Sequence, residues 1–393
     1  MLQRLIHNAR VNVFESARFY YWVLVVLTSY FLLNRFLQKI SFVYIDNRWT
    51  ELKIGEGVLF GLAYGFILIS AWLLRRKIPR YVFWCWGGIV LIFLINEFRF
   101  AWGNPDYSLM ESLTKSQGYY TAKFTMPLLF WGVWSILKNA NHYGGVFVNQ
   151  LRVFSTINAV FIISGAVFGV SLFESYPLSG RWGYSGLLFH NSINSILYGL
   201  LLLFSAENKK GYKEIFVFTV SLLLLGQKAG VLYIILIIYF VYVKSKSIQR
   251  GLFGSAVILL LTASYWVPLM VKISRFWESV YKSHGVWGVL FSLRNEKVQI
   301  VLEKNYEEYN LFTLFFGGHI RFPLRIEMLP FDLIAMFGFS GLIIYLFYIL
   351  KFVFRIQWII PLFVSLVAGG LYDTPFGMII YGIVFMLFVK HKK

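Results

Sequence analysis

Cysteine is all but absent from this chain. Its one thiol, Cys85, excludes an intrachain disulfide and a cysteine-cluster metal site. Acids are scarce too: 18 Asp and Glu stand against 37 Lys and Arg, and charged residues of both signs make up 14% of the 393 positions. That is too little charge to cover a soluble domain of this length. Several signatures are also missing: a Walker loop, a Gly-rich dinucleotide fingerprint, a His-Glu-x-x-His pair and an Asp-x-Asp for a metal-bound nucleotide sugar. Their absence argues against ATP-driven and nucleotide-sugar chemistry. No metal and no cofactor are expected.

What is present is apolar. Hydrophobic residues make up 58% of the chain, in runs long enough to cross a bilayer. Twelve spans are expected, near 19–34, 54–74, 81–98, 119–137, 152–173, 187–206, 212–226, 229–243, 252–271, 331–350, 356–370 and 374–389. The expected fold is an all-α integral membrane protein, a single polytopic domain over 1–393. The first residues carry no small-residue cleavage site, so no removable signal peptide is expected.

Twelve spans put both termini on one side. With the termini cytosolic, the short segments on that side gather Arg75, Arg76, Lys77, Arg80, Lys209, Lys210, Lys244, Lys246 and many other basic residues, with Glu15, Glu207 and Glu214 as their only acids. Lys and Arg in short loops set orientation, so the termini face the cytosol. The net charge of +19 is then mostly topology, and nucleic acid is not expected as a partner.

One long polar segment, 272–330, interrupts the apolar pattern between spans nine and ten. It faces outward, which in a bacterium is the periplasm. It carries Arg275, Arg294, Lys297, Arg321 and Arg325 together with six glutamates, Glu327 the last of them. Arg294 opens a stretch that reads as an outward-lying amphipathic helix. Arg321 and Arg325 are four residues apart, with Glu327 and Asp332 close behind. Arginine suits a two-pronged grip on phosphate oxygens. A carboxylate beside arginines stays ionised and can take a proton from a hydroxyl.

Two further stretches place polar groups at span ends. Arg181-Trp-Gly-Tyr-Ser-Gly-Leu-Leu-Phe-His190-Asn191 leads into the sixth span. Arg181 is a candidate anion ligand, with His190 and Asn191 a turn or two inside, where polar groups are costly. The plainer account is a snorkelling arginine among interface aromatics. Spans seven and eight are short: fifteen residues at about 1.5 Å each cover roughly 22 Å of a core near 30 Å. Their link, Gly226-Gln-Lys-Ala-Gly230, should be recessed, tight and non-helical, and it places Lys228 where an anionic ligand can meet it.

These three segments resemble the O-antigen polymerase and O-antigen ligase superfamily, over roughly 180–345. The Arg181 segment is similar to that family's Arg-x-x-Gly motif followed by an Asn-rich stretch. Gly226-Gln-Lys228-Ala-Gly230 resembles its Ser-x-Arg-Gly turn, with lysine in place of arginine. Glu327, ten residues, Gly338, two residues and Gly341 repeat the spacing at which the long periplasmic loop joins the next span. In ligases that motif starts His-Asn; here Glu327-Met328 stands there, which favours polymerase. The resemblance implies a GT-C-like, metal-independent glycosyltransferase of the inner (cytoplasmic) membrane, with a periplasmic active site. Its substrates would be oligosaccharide repeat units on undecaprenyl diphosphate, joined into O-antigen, capsule or exopolysaccharide. Arg181, Lys228, Arg294, Arg321, Arg325, His190 and Asn191 would bind diphosphate and glycan, and Glu327 or Asp332 would activate the acceptor. Membrane lipid and a chain-length regulator are the candidate partners. The alternatives are an O-antigen ligase acting on lipid A-core and a lipid-linked-oligosaccharide flippase.

Overall fold

The computed structural model describes residues 15–41, 56–103, 108, 117–176, 181–188, 191–208, 211–272, 275–305, 310–318, 328–352, 359–368 and 375–390. Among them every regular element is helical, and the only extended pairings are the isolated bridges Ser16–Lys138 and Glu174–Tyr184.

The helices are α1 (Ala17–Ser41), α2 (Glu56–Leu73), α3 (Arg80–Gly103), α4 (Gln117–Ile136), α5 (Ala140–Phe168), α6 (Asn191–Glu207), α7 (Tyr212–Leu224), α8 (Lys228–Ile237), α9 (Lys246–Leu261), α10 (Ala263–Val271), α11 (Arg275–Phe291), α12 (Arg294–Asn305), α13 (Leu311–Phe316), α14 (Leu329–Phe352), α15 (Ile360–Ala368) and α16 (Pro375–Lys390). Among the described residues, four segments are long and apolar enough to cross a membrane: Ala17–Ser41, Arg80–Arg99, Ala140–Phe168 and Pro330–Lys351. Shorter apolar helices at Leu59–Leu73, Ile193–Glu207, Lys228–Tyr242 and Phe376–Leu387 accompany them. The set is compatible with a multi-pass membrane protein.

A helix that is apolar all round can face lipid or be enclosed by other helices, and enclosure marks the centre of a bundle. In α16 enclosure holds for every residue from Phe376 to Leu387, all of them buried. It holds nearly as well for α6 and for the Phe124–Trp134 stretch of α4. These three helices form the centre: α16 packs against α4, α5 and α6. Their few polar groups are tied across helices, as they must be away from water. The Trp131 indole donates to the Met378 carbonyl at 2.9 Å, and the Tyr348 hydroxyl donates to the Leu128 carbonyl. Around this centre stand α1, α2, α3, α5, α7, α8, α14 and α15. Their outward faces are apolar, with Trp84 and Phe168 among the most exposed side chains.

Two expectations change in detail. The run at 252–271 forms two helices, α9 and α10, which part at Thr262, where the backbone leaves helical torsions. The polar segment 272–330 is not chiefly irregular loop, since its described part folds into α11, α12 and α13. The apolar side chains Trp277, Val280 and Tyr281 of α11 recur at helical spacing, and beyond the break at Gly285 Val289 joins them in packing with Val267 and Val271 of α10. That face is interleaved with Lys282 and Glu278, which disguises it in a reading by polarity alone. The helix expected at Arg294 is present as α12.

Candidate functional site: a cation cluster around Trp277

The Arg181 segment is a small hairpin. Ser175 donates its backbone N–H to Gly183 O at 2.8 Å, and Ser185 donates to Phe173 O at 2.8 Å. Asn158 of α5, fully buried, holds its far end. Its Oδ1 accepts the backbone N–H groups of Leu187 (2.9 Å) and Leu188 (2.8 Å), and its Nδ2 donates to Ser185 O at 3.1 Å. Asn194 of α6 donates to the same Ser185 carbonyl at 2.8 Å. Four donor-acceptor contacts therefore pin the hairpin between two helices.

The hairpin meets the α7–α8 link through two glycines. A Cβ on Gly183 would stand 2.4 Å from Leu225 O, and one on Gly226 would stand 2.1 Å from Trp182 O. Both have positive φ, 149° and 66°, which glycine alone adopts without strain. Tyr184 N donates to Leu224 O at 2.8 Å across the same junction. Gln227 is extended, so the link is non-helical as the sequence implies. This junction brings Arg181 and Lys228 to one place.

Both cations then face α11. The Arg181 guanidinium lies 4.0 Å from the Tyr176 ring, 5.0 Å from Phe276 and 5.2 Å from Trp277. Lys228 Nζ lies 4.2 Å from the Trp277 ring centre and donates to the Val289 and Leu290 carbonyls. Those are last-turn carbonyls of α11, where a cation is favoured. The turn that follows has the Schellman pattern, with Leu293 N on Gly288 O (2.9 Å) and Ser292 N on Val289 O (3.3 Å). Glycine is usual there; here Ser292 (φ 54°) and Leu293 (φ 65°) are both left-handed. Such residues cost on the order of 1–3 kcal/mol each and collect at functional sites. Arg294 comes next, and its charge, like that of Arg181, bears on the Lys228 ammonium. His284 and Glu296 pair across the turn and tie α11 to α12.

The site thus joins three cations from three distant stretches: the hairpin, the α7–α8 link and the head of α12. Arginine presents a planar fork and lysine a point charge, together suited to a polyanion such as a diphosphate. Asp332 belongs to a helix that packs on α12. Val298 and Val301 of α12 lie against Met328 and Ala335, which links the helix opened by Arg294 to the one whose first turn carries Asp332. The Asp332 side chain is buried. His190, Arg321, Arg325 and Glu327 lie outside the described residues, and Asn191 opens α6 with its side chain outside them.

Sequence reasoning missed Arg35 and Lys39. They stand one helical turn apart on α1, and each is 3% exposed or less. Lys39 Nζ donates to the Glu174 carbonyl, at the base of the hairpin that carries Arg181. The available signal was a pair of basic residues at i and i+4 continuing an apolar helix; ending the span at 34 placed both in a loop. Trp277 was also missed, since one tryptophan among 13 carries no signal of its own.

No known protein family, no curated protein and no solved structure matches this chain.

Proposed function

We propose that this protein is a metal-independent membrane glycosyltransferase that joins undecaprenyl-diphosphate-linked oligosaccharide repeat units at the periplasmic face of a bacterial inner membrane. One observation supports the reading above others: Arg181 and Lys228 meet over Trp277, and the charge of Arg294 bears on the Lys228 ammonium. The donor is the growing glycan on its lipid diphosphate. Arg181 and Arg294 grip the diphosphate oxygens, and Lys228 adds charge beside them. A carboxylate, Glu327 or Asp332, takes the proton from a hydroxyl of the acceptor repeat unit. The acceptor oxygen forms its bond to the anomeric carbon as the bond from that carbon to the phosphate oxygen breaks. The electron pair leaves with the lipid diphosphate, whose developing charge the three cations stabilise. The free energy resides in the lipid diphosphate linkage, so the reaction uses no nucleotide.

The test is polymer formation from purified lipid-linked repeat units. Arg181→Ala and Arg294→Ala should each abolish the polymer ladder while the protein stays folded in the membrane. Arg→Lys at either site should restore little, because the two-pronged contact is lost. A wild-type ladder from both alanine variants would overturn the assignment.

A second reading has one observation in its favour. Arg35 and Lys39 are buried within the bundle, and ionisable groups at such depth mark transport pathways by default. A lipid-linked-oligosaccharide flippase would move labelled substrate across vesicle membranes and form no polymer.

A further inference from the structure

The outer faces of α2 and α3 enclose an apolar groove away from the cation cluster. Leu68, Trp72 and Arg75 line one wall, Phe83 and Trp86 the other, and Leu129 of α4 the floor. Its volume is about 640 Å³, well inside the range of about 300–1,000 Å³ usual for ligand clefts. Apart from Arg75 the lining is hydrocarbon and indole. The polar edge of the Trp86 ring is satisfied elsewhere: its Nε1–H donates to the Tyr64 hydroxyl at 3.2 Å, and that hydroxyl pairs with Thr125 Oγ1 at 2.8 Å. Trp86 can therefore present its ring to the groove without exposing an unsatisfied donor.

Charge gathers at one end only. Arg75 stacks on Trp72, with its guanidinium carbon 4.2 Å from the ring centre, and NH1 donates to Trp72 O at 2.9 Å. A guanidinium has five N–H donors in a planar fork, and that contact uses one of them. Arg76 and Arg80 are exposed in the same short turn between α2 and α3. A long apolar slot on the face of an apolar helix pair, headed by a cluster of arginines, has the amphiphilic layout of one molecule: an acyl chain ending in an anionic phosphate.

We propose that this groove is a binding site for an anionic phospholipid, with an acyl chain lying between α2 and α3 and the headgroup phosphate held by Arg75. The carbonyl contact and the stacking on Trp72 fix the guanidinium before the lipid arrives, so little side-chain freedom is lost on binding. Arg76 and Arg80 add longer-range attraction to the same headgroup. A zwitterionic lipid fills the slot equally well but lacks the net charge, so charge sets the preference.

The test uses the full chain in phosphatidylcholine bilayers and reads tryptophan quenching by lipids brominated on the acyl chain. Subtracting the signal of Trp72→Phe from that of the wild type isolates Trp72. Brominated phosphatidylglycerol should quench this signal at a mole fraction about fivefold lower than brominated phosphatidylcholine, the ratio one basic residue provides at an anionic surface. Arg75→Ala should narrow the gap between the two curves to what Arg76 and Arg80 supply at longer range, and Arg75→Lys should keep the gap. Quenching by brominated phosphatidylcholine should be equal in wild type and variants, which checks that the groove is intact; where alanine disturbs it, Arg75→Gln takes its place. Coincident curves for the two lipids in the wild type, or a gap that the loss of the Arg75 charge leaves undiminished, would overturn the proposal.

Discussion

Arg181 and Lys228 share one indole: the guanidinium carbon lies 5.2 Å and the ammonium nitrogen 4.2 Å from the ring centre of Trp277. The two cations are 47 positions apart in the chain, and only α11 brings a third element between them.

Trp277→Ala should therefore weaken lipid-diphosphate binding without touching a charged residue. Each contact of this kind is worth about 0.5–2 kcal/mol, according to how far it is desolvated. Loss of both predicts roughly a five- to several-hundred-fold weaker affinity, measured with labelled undecaprenyl diphosphate and purified protein. Trp277→Phe should fall between. Unchanged affinity in the alanine variant would mean the cations are placed by other contacts.

Gly183 and Gly226 test the junction itself. Alanine at either forces a methyl group against a backbone carbonyl and a left-handed torsion, the torsion alone costing about 1–2 kcal/mol. Both variants should lower the thermal midpoint in detergent and open the hairpin to protease. Gly65→Ala, inside α2, meets nothing within 4 Å and should neither lower the midpoint nor open the hairpin. Wild-type melting of Gly226→Ala would show that the link gives way freely.

Asp332 and Glu327 separate by role. A general base is usually worth about 10²–10⁴-fold in rate. If Glu327 is the base, Glu327→Gln should cut polymer formation by that order with donor binding retained. Asp332→Asn should then cost less, since an acid in the first turn of α14 also serves the helix dipole. A dead Asp332→Asn beside an active Glu327→Gln would move the base to Asp332.

Glu15, just ahead of α1, offers a pH signature. Hydrogen bonding from Lys77, with Lys138 also near, holds its carboxyl below the ordinary value of 4.5. A depressed carboxyl stabilises the fold above the unfolded-state value and loses that contribution as pH falls through the folded-state one. Wild type should melt higher than Glu15→Gln at pH 7, and the gap should shrink as pH falls below the ordinary value of 4.5. A gap independent of pH would assign the difference to shape and not to charge.

That the chain is helical was open to sequence reading, because it follows from long apolar runs; that α4, α6 and α16 lie at the centre was not, because a lipid-facing helix is equally apolar. The pairing of motifs was only half open. Arg181, Lys228 and Arg294 stood out as cations beside apolar stretches, yet nothing local states that Gly183 fits against Gly226. That contact depends on the heading of two separate chain segments. Arg35 and Lys39 were misplaced for a related reason. A basic residue marks a span end only when it meets water, and here Lys39 meets the Glu174 carbonyl instead.

Gly338 gives α14 a property that straight helices lack. Its torsions, φ 65° and ψ −173°, are not helical, and a Cβ there would stand 2.2 Å from the backbone of Phe315. Above the break, Gly318 N donates to Ala335 O at 3.1 Å, and Asn96 of α3 donates to Phe316 O at 2.7 Å, so α13 and α3 set the heading of the Asp332 turn. Below it, the Tyr348 hydroxyl on Leu128 O sets the rotation of the remainder. The two halves therefore keep separate phase. In an unbroken helix one inserted residue turns everything beyond it by about 100°. Here such an insertion, placed just after Gly338, would rotate the lower half against α4 while the carboxylate stayed where α13 holds it.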